Sequence, residues 1–98
     1  MNINILAHAE QEFIETVDYY NNQCSGLGYE FAAEVTNTLE RISAFPKAWP
    51  QISLRTRRCI TNKFPFGVIY QIRDNGILVV AIMHMKRNPI HWQKRADK

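Results

Sequence analysis

Two apolar runs meet at Asp74-Asn75-Gly76, and that junction limits what this chain can fold into more than any other stretch. Asn and Gly tolerate the positive φ that tight hairpin turns require, so the segment predicts a β-hairpin. Upstream, Val68, Tyr70 and Ile72 alternate with Ile69, Gln71 and Arg73, the pattern of a strand with two different faces. Downstream, Ile77–Met83 is apolar at every position. Such a run reads as a central strand covered on both sides.

The cover comes from earlier in the chain. Asn2–Leu6 alternates polar and apolar residues and reads as a short first strand. The period then changes. Ala9, Phe13, Val17, Tyr20 and Cys24 fall three or four apart, the stripe of an amphipathic helix with Glu10, Glu15 and Asp18 outside it. Asn21–Gly28 interrupts with Asn, Ser and two glycines, a helix–helix turn. A second stripe follows at Leu27, Phe31, Val35, Leu39 and Ile42, reaching Phe45 before Pro46 ends it. Tyr19 and Tyr20 sit on the first helix and are expected in the core.

After the Pro46–Pro50 crossing, with Trp49 tucked into the seam, Gln51–Thr56 reads as loop or frayed strand. Arg57–Asn62 reads as a further strand, and Phe64-Pro65-Phe66-Gly67 as a connector. The expected product is α+β with the order β-α-α-β-β-β, a helix hairpin on a small, mostly antiparallel sheet. Past His84, Ile90–Arg95 is either a helical turn or loose. Nothing marks a second domain, so residues 1–98 are expected to form one.

Composition bears on function mainly through charge. Residues 1–45 hold seven acids against Arg41, a net of −6, whereas residues 46–98 hold eleven bases against two acids, a net of +9. Asymmetry of this kind steers anionic partners. An apolar fraction of 46% and a charged fraction of 21% argue against disorder. No run approaches a membrane span, and the N-terminus lacks the form of a secretion signal, so a cytoplasmic protein is expected. The two cysteines, Cys24 and Cys59, are read as small apolar fillers in a reducing compartment.

An ordered set of motifs runs through nearly the whole chain. It comprises the acidic helix with Tyr19-Tyr20, Gly26-Leu27-Gly28, Phe45-Pro46, Trp49-Pro50, Arg57-Arg58 and Phe64-Pro65-Phe66. Val68-Ile69-Tyr70 and His84-x-x-Arg87-x-Pro89-x-x-Trp92 complete it. Together they resemble the RelE/ParE toxin superfamily, in its ParE-like branch of plasmid stabilisation proteins. The resemblance implies the toxin of a type II toxin–antitoxin pair, neutralised by a cognate antitoxin. It also implies one of two activities: poisoning of DNA gyrase, as in characterised ParE-like members, or cleavage of mRNA on the ribosome, as in RelE-like members.

Metal-independent RNA cleavage needs a group to activate the 2′-hydroxyl, a proton for the leaving oxygen and cations on the phosphate. The resemblance places the nuclease residues of RelE-like relatives on five positions here. Arg58 and Arg87 match, while Ile60, Gly67 and the Trp92 or Gln93 position carry no suitable group. A nuclease built on this chain would therefore lean on Arg58, Arg87 and His91, whose imidazole titrates in the useful range.

A binding role asks less. Arg57, Arg58, Lys86, Arg87, Trp92, Lys94 and Arg95 are the expected target-binding residues, cationic and aromatic as interaction hot spots tend to be. The competing reading has Trp92 covering the edge of the core and the bases keeping the tail soluble. His84 and His91 lack a carboxylate companion, so neither a metal nor a cofactor is expected. The overall expectation is a gyrase-poisoning toxin with an antitoxin partner, as a homodimer or in a hetero-oligomer with that antitoxin. An mRNA endonuclease, or a non-toxic antitoxin-binding relative, is the alternative.

Overall fold

The computed structural model describes residues 2–74 and 76–96, with the side chains of Ile90, His91 and Ala96 outside the description. Its elements run β1 (Asn2–Ile5), α1 (Ala7–Gln23), α2 (Leu27–Ala44), β2 (Arg57–Ile60), β3 (Phe66–Arg73), β4 (Gly76–His84) and α3 (Ile90–Ala96). The expected β-α-α-β-β-β order is present, and the tail adds a short helix.

The strands form one sheet in the order β1-β4-β3-β2. β1 runs parallel to β4, and the other two pairings are antiparallel. The β3–β4 ladder closes at Arg73↔Gly76, with Asp74 at φ +50°. Asn75, also assigned to this turn, lies outside the described residues. β4 is central, which explains its unbroken apolar run: each of its faces meets a different apolar layer.

The helix hairpin supplies the first layer. Ala9, Phe31, Val35 and Ile42 pack with Val68, Tyr70, Ile77, Val79 and Ile82 of the sheet. Phe31 is fully buried, with its ring 5.0–6.1 Å from those of Phe13, Tyr20, Phe64 and Phe66. These tilted and edge-on contacts add to simple burial. Three residues expected to face inward behave differently. Cys24 caps α1 and is exposed, Phe45 is 66% exposed, and Tyr19 is 58% exposed while Tyr20 packs inward. Both cysteines are free thiols, Cys59 buried.

The second layer lies on the opposite face, where Ile69, Val80, Ala81 and Met83 gather around Trp92 of α3. Strict alternation would send Val80 and Ala81 to different faces. A β-bulge prevents this. Ile69 pairs with Ala81 and Tyr70 with Val79, so Val80 is the extra residue on β4.

The crossing between helix hairpin and sheet is held by two sheet side chains. The Tyr70 hydroxyl donates to the Pro46 carbonyl at 2.6 Å, and Arg57 Nη1 donates to the carbonyls of Lys47 and Trp49 at 3.0 and 2.7 Å. Burial pushes the Tyr70 phenol up to about 12, against the opposing pull of the nearby Arg57 guanidinium. An unfolded phenol titrates near 10 (about 10). The buried, protonated phenol therefore stabilises the fold fully below about pH 10, and that contribution fades as pH rises towards about 12. Thermal melting followed across this window should show a fall in Tm that Tyr70→Phe lacks.

Candidate functional site: two clefts around Trp92

α3 leans on the sheet through Trp92, which is 4% exposed, and a cleft opens on either side of it. Trp92 and Gln93 line both. The first cleft, about 540 Å³, has Ile69 and Met83 among its lining, with Arg58, His84, Lys86 and Arg87 around them. The second, about 1080 Å³, lies between the loop before β2 and the end of β3 and carries Arg55, Arg57 and Arg73.

Arg58 takes its place in the first cleft because of a glycine. It pairs with Ile69 across the β2–β3 ladder, and its chain runs over Gly67. A Cβ at Gly67 would lie 2.9 Å from both Cγ and Cδ of Arg58. Lys86 and Arg87 come from the turn after β4. There His84 Nδ1 accepts the Lys86 N–H at 3.1 Å, and the Arg87 N–H donates to the His84 carbonyl at 3.0 Å. The His84 ring also stands edge-on to Phe66, with centroids 5.4 Å apart. With Nδ1 accepting, the neutral imidazole carries its proton on Nε2.

α3 itself is fixed by an ion pair that bridges 83 residues of sequence. Arg95 Nη1 donates to Glu12 Oε1 at 2.8 Å and Nη2 to Oε2 at 3.3 Å, with both side chains less than a fifth exposed. The same two side chains complete the edge of β4. β1 accompanies that edge only as far as the Leu6 N–H bond to the Val79 carbonyl. Beyond it, Glu12 Oε1 accepts the Ile82 N–H at 3.2 Å, and Arg95 Nη1 donates to the Val80 carbonyl at 3.3 Å. The pair thus stands in for a strand that has ended, satisfying backbone groups that would otherwise be orphaned beside the bulge.

The residues expected to bind a target are therefore divided. Arg58, Lys86 and Arg87 converge on one cleft. Lys94 is exposed on α3. Trp92 is packed into the second apolar layer rather than presented at the surface. Arg95 is held by Glu12, and Arg57 by the Lys47 and Trp49 carbonyls, so both act first on the fold. His91 lies within α3, and its side chain is outside the described residues. Sequence reasoning missed Glu12, since nothing local distinguishes it from the other acids of α1. It also left out Arg55 and Arg73, which a search for cations alternating along β3 and its approach would have found.

The family model for the ParE toxin of type II toxin–antitoxin systems, parDE, matches residues 3–89. The chain belongs to this ParE toxin family. A chain of the chromosomal ParDE TA system from P. aeruginosa shares its fold with a TM-score of 0.76 at 11% identity, over 86% of this chain and 95% of that one. None of the curated proteins compared matches significantly. No helix among the described residues is long and apolar enough to cross a membrane. In this ParE-family chain the positions that the resemblance to RelE-like nucleases singled out can be placed on the structure. Ile60 is 48% exposed, Gly67 lies against the chain of Arg58, and of the Trp92 and Gln93 alternatives Trp92 is buried while Gln93 is exposed and lines both clefts. Arg58 and Arg87 do share a cleft, where they can hold an anion. Among the described residues, the other titratable groups lining this cleft are His84, engaged by the Lys86 N–H, and Lys86 itself.

Proposed function

We propose that this chain is the toxin half of a type II toxin–antitoxin pair and arrests growth by binding DNA gyrase through the Arg58–Lys86–Arg87 cleft. The observation that carries this reading is the residue set of that cleft. Its cations suit the binding of an acidic surface or a phosphate, while the resemblance to RelE-like nucleases puts Ile60, Gly67 and Trp92 or Gln93 at positions where those enzymes use a basic residue, an arginine and a tyrosine to cut RNA. A gyrase poison needs no catalytic group; it needs a surface that holds one conformation of its target.

The partner that silences it is a cognate antitoxin. The large apolar side chains left exposed on the helix hairpin, Ile14 at 44%, Tyr19 at 58% and Tyr29 at 70%, support an amphipathic segment docking there.

Purified gyrase and programmed ribosomes decide between the two targets. Inhibition of supercoiling with intact mRNA is expected. Cleaved mRNA with unaffected gyrase would instead favour the nuclease reading through Arg58, Arg87 and His91. Arg87→Ala should weaken target binding by about 2 kcal/mol, the scale of an interfacial arginine anchor, and growth inhibition with it. Because Arg87 is exposed, its far-UV spectrum and Tm should stay at wild-type values. Full toxicity in that variant would remove this cleft from the mechanism.

A further inference from the structure

The cations of the first cleft are only part of its lining. Ile52, Ile69, Met83 and Met85 stand with them, Ile69 and Met83 buried, Ile52 and Met85 keeping part of their surface open. A fifth apolar side chain borders the cleft from β2. Arg58 and Ile60 lie two apart on that strand and so share a face. Ile60 pairs with Gly67, where a Cβ would lie 2.9 Å from Arg58 and 3.5 Å from Met85 Sδ. Ile60 is 48% exposed, so a branched apolar residue stands in water beside an arginine and a methionine.

Charge and backbone together narrow what this surface takes. Among the described residues no carboxylate lines the cleft, and the side chains of Arg58, Lys86 and Arg87 make no hydrogen bond or ion pair. Their charge is left to attract a partner's carboxylates. An added strand is disfavoured because the outer side of β2 is partly occupied. The Arg58 N–H donates to the Pro50 carbonyl at 3.0 Å, and the Ile60 carbonyl accepts Arg41 Nη2 at 3.3 Å. A nucleic acid would make little use of Ile60 and Met85, and Trp92, at 4% exposure, presents no open ring for a base to stack on. Methionine adapts to whatever apolar shape arrives. An apolar centre inside a cationic rim is the layout of a protein-binding hot spot.

We propose that this cleft receives an acidic peptide segment of the target, with one leucine-sized apolar side chain seated against Ile60 and Met85 and its flanking carboxylates on Arg58, Lys86 and Arg87. The inference rests on this cleft being the target-binding surface and adds the chemistry of the segment that enters it.

Fluorescence anisotropy with the full-length chain tests it, using a labelled Glu/Asp peptide with one central leucine and the same peptide with serine in its place. The leucine peptide should bind about tenfold more tightly, the low end for burying one such side chain. Ile60→Thr keeps the branched shape that suits a strand but removes apolar surface. It should abolish most of that preference while leaving the affinity of the serine peptide unchanged, a split that a merely structural role would not give. The Arg58→Gln, Lys86→Gln double variant should weaken both peptides alike and flatten their salt dependence. An unchanged melting curve certifies the fold of each variant. Equal binding of the two peptides by the wild-type chain would overturn the proposal. So would oligothymidylate displacing the leucine peptide better than its own unlabelled form, which would assign the face to nucleic acid. The gyrase reading fails separately: unaffected supercoiling with the leucine preference intact supports the chemistry of the cleft and changes only the target. Supercoiling inhibited equally by wild type and Ile60→Thr would sink this inference and leave gyrase in place.

Discussion

A Gly28→Ala variant is expected to lose about 3 kcal/mol of folding stability, the upper end of what overpacking costs. The sign is the informative part. Alanine favours an isolated helix over glycine by about 1 kcal/mol, so propensity alone predicts stabilisation at this position inside α2. Packing opposes it decisively. A Cβ on Gly28 would lie 2.1 Å from the Val17 carbonyl oxygen and 2.6 Å from Asn21 Cγ. The first of these is backbone in the middle of α1 and yields only if the two helices part. The Gly28 N–H also donates to Asn21 Oδ1 at 2.7 Å, a bond that separation would break. Urea unfolding gives the measurement. Gly26→Ala is the comparator: Gly26 has φ +88° and open space where its Cβ would be, so that change should cost only the left-handed penalty of about 1–2 kcal/mol. Equal midpoints for Gly28→Ala and wild type would mean that α1 and α2 do not approach as closely as described.

Glu12→Ala carries the second large effect, about 3 kcal/mol, the lower end for breaking a buried ion pair because both side chains keep some exposure. Three partners lose their match at once: the Arg95 guanidinium, the Ile82 N–H and, as Arg95 relaxes, the Val80 carbonyl. Among the described residues, the apolar seat of Trp92 and this pair are what tie α3 to the sheet. In a Trp49→Phe background, the emission of Trp92 should therefore shift to the red in Glu12→Ala below the unfolding transition. A double-mutant cycle with Arg95→Ala should give a coupling of about 2 kcal/mol. Additive effects would show that the pair does not act as a unit. By contrast, the Arg41–Glu34 pair is 3.9 Å apart with Arg41 about a third exposed, and the buried Glu34 carboxylate accepts the Asn62 N–H instead, so the charge pair itself should contribute little.

The parts of this fold that could be read in advance are those written in local periodicity. The stripe from Phe31 to Ile42 marks α2 because a helix returns each side chain to one face every 3.6 residues, and the unbroken run Ile77–Met83 marks β4 because both of its faces are covered. The bulge at Val80 left no such trace, since in an all-apolar strand a change of face alters no residue type. Cys24 and Tyr19 were assigned inward on spacing alone. One falls past the end of α1, and the other is directed outward beside its packed neighbour Tyr20. The site divides along the same line. Arg58, Lys86 and Arg87 could be nominated by charge and motif, and they share a cleft. The roles of Arg95 and Arg57 were hidden because their partners, Glu12 and the Lys47 and Trp49 carbonyls, come close only through tertiary folding.

The close approach of Arg58 to Gly67 restricts what else can stand at that position. An arginine placed at that position would bring its Cβ 2.9 Å from Cγ and Cδ of Arg58, the middle of that side chain rather than its movable end. The incoming cation would expel the resident one from the groove. A larger side chain at this position therefore requires the Arg58 chain to move first or at the same time.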